Sequence, residues 1–260
     1  MLHARTETPS ASTPSHRLWA GLAGAITFLT IAPVPATGSA GLNSSAGWFP
    51  VVGAAVGALA GGVRVLCEPL LGRTVGTVLA MIVLVVATGA LHQDGLADTA
   101  DGLGVRGDRT RRLEVMRDSA TGVFGALALV AWALLLLTTV TSLDAGRALR
   151  ALTTACALAR WAALLHAAAA PPARTDGLGA ALHVGRVALS AATAASAIVA
   201  LAICGLGPGA AALGATLLVS ALSAVFARRT LGGRTGDTLG ATVAIAEVAV
   251  CTMLLAVWHG

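Results

Sequence analysis

The chain of 260 residues has no lysine and no tyrosine, and its formal charges are few. The 17 arginines and 12 Asp or Glu make up 11% of it, against about one quarter in soluble globular domains. Without lysine there is no Walker-type phosphate loop and no Schiff-base amine, and without tyrosine no phenolic nucleophile. AVILMFWYC residues account for 56% of the chain. So large an apolar excess has to face hydrocarbon, which makes this an integral membrane protein. At about 20 apolar residues per spanning helix, the stock furnishes about seven spans and leaves nothing for a soluble domain. The expected fold is all-α, a polytopic membrane helix bundle of seven or eight spans.

The net charge of +5 points to no nucleic-acid partner, because membrane proteins place basic residues in cytoplasmic loops for orientation. The abundance of Ala and Arg reads as genomic base composition. Cys67, Cys156, Cys204 and Cys251 are far apart, with no C-x-x-C and no Cys/His pair at metal-ligand spacing, and read as packing residues. Residues 1–17, rich in Ser, Thr and Pro, are expected to be a disordered tail, and residues 18–260 a single membrane-embedded catalytic domain. Leu18 to Ile31 is short and ends in Ala32-Pro33-Val34-Pro35-Ala36. It suits a signal peptide with its cleavage site, or a first spanning or re-entrant helix ended by two prolines.

Apolar stretches at about Trp48 to Leu66, Val75 to Leu91, Gly122 to Ser142, Ala151 to Ala170, Val187 to Gly205, Ala210 to Ala227 and Leu239 to Trp258 are the expected spans. Gly53, Gly57 and Gly61 repeat every four residues, a smooth stripe suited to close helix contact. By parity, segments 92 to 121, 171 to 186 and 228 to 238 emerge on one side. They hold Arg106, Arg109, Arg111, Arg112, Arg117, Arg174, Arg186, Arg228, Arg229 and Arg234, while the opposite connections hold Arg64, Arg73, Arg147 and Arg150. The positive-inside rule makes the first set cytoplasmic.

Six of the twelve acidic residues, Asp94, Asp98, Asp101, Asp108, Glu114 and Asp118, lie within one 25-residue stretch. If it is helical, Asp94, Asp98 and Asp101, at i, i+4 and i+7, stack three carboxylates on one face. Their repulsion calls for a divalent cation. Hard carboxylate oxygens suit Mg²⁺, which keeps water ligands and is commonly shared with substrate phosphates. The three are therefore candidate metal ligands in a phosphate-handling site, and a solvated acidic cap is the plain alternative. Gly95 and Gly102, poor helix formers, would let a bulky diphosphate approach. Arg117 is the arginine of this region singled out for phosphate contact, and His92 is a candidate general base or orienting group. Arg160 and Glu247 sit deep in apolar segments, where charges are functional or paired. Gly236 and Asp237 open the last span, where backbone N–H groups attract anions; Asp237 is either a further metal ligand or an N-cap.

These blocks resemble the cobalamin synthases, also called adenosylcobinamide-GDP ribazoletransferases. The likeness rests on Phe28-Leu29-Thr30 with Pro33-Val34-Pro35, Phe49-Pro50-Val51-Val52-Gly53, Leu91 to Gly102, Met116-Arg117-Asp118-Ser119 with Gly122 and Phe124-Gly125, Ala159-Arg160-Trp161, and Leu231 to Ala241 with Glu247. The departures are Gln93 for the usual Leu, Ala90 for Gly, Arg117 for Lys, and a stretch from Gly102 to Asp108 without the family's run of glycines and its aromatic residue. The resemblance implies a multi-pass inner-membrane enzyme. It would join α-ribazole, or its 5′-phosphate, to adenosylcobinamide-GDP and release GMP with Mg²⁺, using small-molecule substrates in a lipid bilayer, with a homo-oligomer left open. Asp94, Asp98 and Asp101 would then hold metal, with Asp118 and Asp237 as secondary ligands or base. Arg117, Arg160 and Glu247 would serve phosphates or charge balance, and a cavity between helices would receive the corrinoid. The CDP-alcohol phosphotransferases share an opening like Asp98-Thr99-Ala100-Asp101-Gly102 with Arg106, but their further spaced aspartates have no counterpart here. A transporter would show inverted repeats, and a second aspartate-rich segment is missing.

Overall fold

A computed structural model describes residues 14–34 and 41–259. Helix α1 (Pro14–Leu29) is followed by α2 (Leu42–Ser45), a 3-10 turn (Ala46–Trp48), α3 (Phe49–Ala87), α4 (Leu91–Gly104), α5 (Arg109–Val115) and α6 (Val123–Thr141). Then come α7 (Ala145–Ala169), α8 (Leu178–Ala181), α9 (Arg186–Cys204), α10 (Leu206–Leu231) and α11 (Gly236–His259). The described residues form no sheet, only one isolated bridge between Pro172 and Arg234. The all-α expectation holds. Of the expected tail, residues 1–13 lie outside the described residues, as do Pro35 and Ala36, and residues 14–17 belong to α1.

Helices α3, α6, α7, α9, α10 and α11 are long and apolar enough to cross a membrane. Helix α3 folds back on itself at Gly72, whose φ of 78° is left-handed and open to glycine at no steric cost. Its arms, residues 49–71 and 73–87, run antiparallel: Arg64 Nε donates to Thr77 Oγ1 at 2.9 Å. The expected spans near 48–66 and 75–91 are these two arms, so six helices carry the seven apolar segments. Large side chains such as Leu59, Leu70, Leu127, Leu134, Ile198 and Leu222 are more than half exposed on the outside, as a surface solvated by lipid requires.

Helix α7 is the axis and the most enclosed of the six. Its run of alanines leaves little side chain between neighbours, so backbones approach closely. Gly53, Gly57 and Gly61 pack there as expected: a Cβ on Gly57 would lie 2.8 Å from Thr153 Cα, and one on Gly61 2.8 Å from Leu149 Cα. Helix α1 carries a shorter apolar segment, Leu18–Leu29, and packs beside both ends of α3. Gly21 lies against Trp48 and the Ser44 carbonyl, the Ile31 amide donates to Ala87 O at 3.0 Å, and the chain then returns to Leu42–Trp48 beside Gly21.

The three arginine-rich connections meet at one end of the bundle. Arg109 donates to Ala173 O at 2.6 Å and Arg174 to Leu113 O at 2.7 Å, and the Ala173 amide donates to Arg234 O at 2.8 Å. At the other end, Arg147 and Arg150 lie over the Trp258 ring.

Candidate active site

The site begins where α3 stops. Gly89 and Ala90 both adopt positive φ, 59° and 58°, and the Ala90 amide reaches back to Val85 O at 2.9 Å. Two successive left-handed residues end α3 and redirect the chain into α4. Helix α4, itself too polar to be a span, lies against the start of α11 with glycine on both sides. A Cβ on Gly95 would come 2.7 Å from Asp237 O and 3.1 Å from Gly240 Cα. That contact sets Asp94 and Asp237 in one wall.

Thr235 and Thr238 start α11 by bonding reciprocally: the Thr238 amide donates to Thr235 Oγ1 at 3.1 Å and the Thr235 amide to Thr238 Oγ1 at 2.9 Å. Thr235 is therefore the cap, which leaves Asp237 free of that duty. Opposite, the loop after α7 is bolted down by the buried Arg234, whose guanidinium donates to the carbonyls of Gly179 at 3.0 Å, Leu182 at 2.8 Å and Ala170.

Between these elements lies a cavity of about 290 Å³. Its polar side chains are His92, Asp94, Arg160, Arg174, Asp176, Arg234, Thr235 and Asp237, and Phe28, Leu29, Phe49, Ala163, Leu182 and Val243 form much of the rest. Arg160 is 1% exposed and ion-paired to Glu247, which is 2% exposed. Its other contacts are Cys156 O at 3.3 Å and His92 Nδ1 at 3.4 Å.

Of the side chains singled out in the sequence, His92, Asp94, Gly95, Arg160, Gly236 and Asp237 line this cavity. Asp98 does not line it but sits one turn along α4. Its carboxyl is pushed up from 3.8 to about 6, first by burial and then by the charges of Asp94, Asp237 and Asp101, with Arg174 opposing. Asp101 is engaged by another helix: one carboxylate oxygen accepts from the Gly122 amide at 2.7 Å and the other from the Gly125 amide at 2.8 Å, capping α6. The i, i+4, i+7 stripe is therefore split by the incoming helix. Asp118 is exposed and accepts from the Ala120 amide at 3.0 Å. Arg117 pairs through Nη2 with both Asp176 oxygens, at 2.7 and 2.8 Å, on the rim. Gly102 makes room for the Met116 side chain, and Glu247 lies behind Arg160. Arg106, part of the likeness to the CDP-alcohol phosphotransferases, is exposed and outside the cavity.

In the sequence Arg174 and Arg234 stand out only as orientation charges, and Asp176 not at all. The polar turn Arg174-Thr175-Asp176-Gly177 between two apolar runs was the available signal. No three His, Cys, Asp or Glu among the described residues gather into a cage for a metal ion. Asp94 and Asp237, with Asp98 behind them and Arg174 opposing, are the residues that could hold a divalent cation if phosphates and water completed its shell.

The sequence profile of the cobalamin-5-phosphate synthase family matches residues 21–255. The chain is 40% identical over 251 residues to an adenosylcobinamide-GDP ribazoletransferase of Azorhizobium caulinodans, covering 90% of this chain and 94% of that protein. Proteins of the same name from Desulforamulus reducens and Escherichia coli are each 36% identical, over 242 and 240 residues. They cover 92% and 88% of this chain, and each is itself covered to 97%. No solved structure matches the chain.

Proposed function

The chain belongs to the cobalamin-5-phosphate synthase family, and from that premise we propose how its cavity works. The protein transfers the cobinamide-phosphoryl group of adenosylcobinamide-GDP to α-ribazole, or to its 5′-phosphate, and releases GMP. A ribose hydroxyl attacks the phosphorus on the cobinamide side, the new O–P bond forms, and the bond from that phosphorus to the oxygen retained by GMP breaks.

The observation that carries this reading is the convergence of Asp94 and Asp237 across the Gly95–Gly240 contact, in a cavity that also holds Arg174. These carboxylates would hold Mg²⁺, with Asp98 nearby. When bound, Mg²⁺ supplies charge neutralisation on the diphosphate and on departing GMP. Arg174, on the loop across the cavity, offers forked donors to phosphate oxygens. Arg117 reaches them only by leaving Asp176. Asp98, one turn behind Asp94 and with raised proton affinity, suits the group that takes the hydroxyl proton through one bridging water near neutral pH. Glu247 acts through Arg160, keeping that guanidinium charged and oriented at the cavity's inner end. The arginine-rich connections at the cavity end support a cytoplasmic orientation in a cell's inner membrane.

The test is GMP release by purified protein in detergent, supplied with adenosylcobinamide-GDP, α-ribazole and Mg²⁺. Turnover should fall about 100-fold or more in Asp94→Ala and Asp237→Ala, on the scale of losing one electrostatic stabiliser. Folded wild-type protein that forms no GMP would overturn the assignment.

A further inference from the structure

The cavity has two unlike ends. Asp94, Asp237 and Arg174 mark the polar one. At the other, His92 and Arg160, 3% and 1% exposed, lie among Phe28, Phe49 and Ala163, and the two phenylalanine rings stack with centroids 5.5 Å apart. Gly53, one turn after Phe49, lets α3 close on the Arg160 side chain, and Ala163 is one turn beyond Arg160 on α7.

Size and hydrogen-bonding chemistry select the occupant. A cavity of about 150 Å³ holds one benzene, so 290 Å³ takes a fused bicyclic ring with its sugar. A corrin macrocycle with its amide arms is not enclosed whole by a space of that size and stays at the open mouth. A guanidinium only donates, so the Arg160 Nη2 that faces His92 Nδ1 makes that nitrogen an acceptor and leaves the imidazole proton on Nε2. Arg160 Nε also has no partner among the described residues. The inner end therefore presents N–H donors beside an apolar aromatic wall. Benzimidazole joined to a sugar has one bare ring nitrogen that accepts and no N–H that donates. Guanine would bring an N–H and an amino group, which lose hydrogen bonds on burial there.

Building on the function proposed above, we propose that this cavity seats the benzimidazole nucleoside. Its base lies against Phe28 and Phe49, its bare nitrogen faces His92 and Arg160, and its ribose reaches toward Asp94 and Asp237. The corrinoid and guanosine stay outside the mouth, and only the diphosphate of adenosylcobinamide-GDP enters.

Ala163→Leu fills the base end and leaves the mouth untouched. It should raise KM for α-ribazole tenfold or more and hold KM for adenosylcobinamide-GDP within twofold. An equal rise in both, or a rise for adenosylcobinamide-GDP alone, overturns the proposal. Equilibrium dialysis of α-ribazole against wild-type protein, without Mg²⁺ or corrinoid, keeps the question open to test if that variant does not fold. One site per chain, competed by other benzimidazole nucleosides and not by guanosine, is expected. No binding, or equal competition by guanosine, refutes the pocket. Nucleoside binding by a protein that never forms GMP would sink the proposed reaction and leave the pocket standing.

Discussion

Asp101 is where the sequence pattern and the folded geometry make opposite demands. As one of three stacked carboxylates it should be a metal ligand. In the structure its two oxygens accept from the amides of Gly122 and Gly125 at 2.7 and 2.8 Å, doing from another helix what both halves of a capping box do within one. A Cβ on Gly125 would strike this carboxylate. Loss of a capping side chain costs about 1 kcal/mol, and removing a negative charge from a helix N-terminus costs about 0.5–1 kcal/mol more. Asp101→Ala should therefore destabilise by about 2 kcal/mol. At about 2–4 °C per kcal/mol for a chain of this size, that is a fall of roughly 4–8 °C in the unfolding midpoint in detergent. Asp101→Asn, which keeps an acceptor, should lose about half as much. The Mg²⁺ concentration for half-maximal GMP release should stay within twofold of wild type in Asp101→Asn and rise tenfold or more in Asp94→Asn. An Asp101→Asn protein with an unchanged midpoint and a Mg²⁺ requirement raised like that of Asp94→Asn would refute the reasoning and restore Asp101 to the metal set.

Ala90 is the one non-glycine residue with positive φ among the described residues. Relieving a left-handed Cβ gains about 1–2 kcal/mol and the added freedom of the unfolded chain returns about half of that, so Ala90→Gly should raise the thermal midpoint by a few degrees; a lower midpoint would contradict the backbone geometry. Asp98 supplies a pH dependence in metal-free protein. Because its folded proton affinity is raised from 3.8 to about 6, the folded state is the better proton binder, and the penalty for ionising Asp98 appears as pH rises from about 4 to 6 and stays in full above. In EDTA the midpoint should fall across that window in wild type and change less in Asp98→Asn; parallel pH profiles of the two proteins would show that Asp98 does not feel its neighbours.

Composition and periodicity determined that the chain lives in a bilayer, how many apolar segments it has, and which connections share a side, because hydrophobic length and arginine placement are local quantities. The Gly53, Gly57, Gly61 stripe also announced its packing, since a bare helix face invites a close neighbour wherever that neighbour comes from. Tertiary structure alone decided how the carboxylates divide. Asp94, Asp98 and Asp101 share a face of α4 in the folded structure too, but the arrival of α6 takes Asp101 as a cap, and the glycine contact with α11 brings Asp237 to Asp94 from 143 residues away. Arg174 and Asp176 reach the cavity only because Arg234 fastens their loop by its carbonyls, and backbone acceptors carry no mark of their partner in the sequence. Spacing along a chain reports which residues share a surface, while the partners that meet that surface are chosen by packing between segments far apart in order.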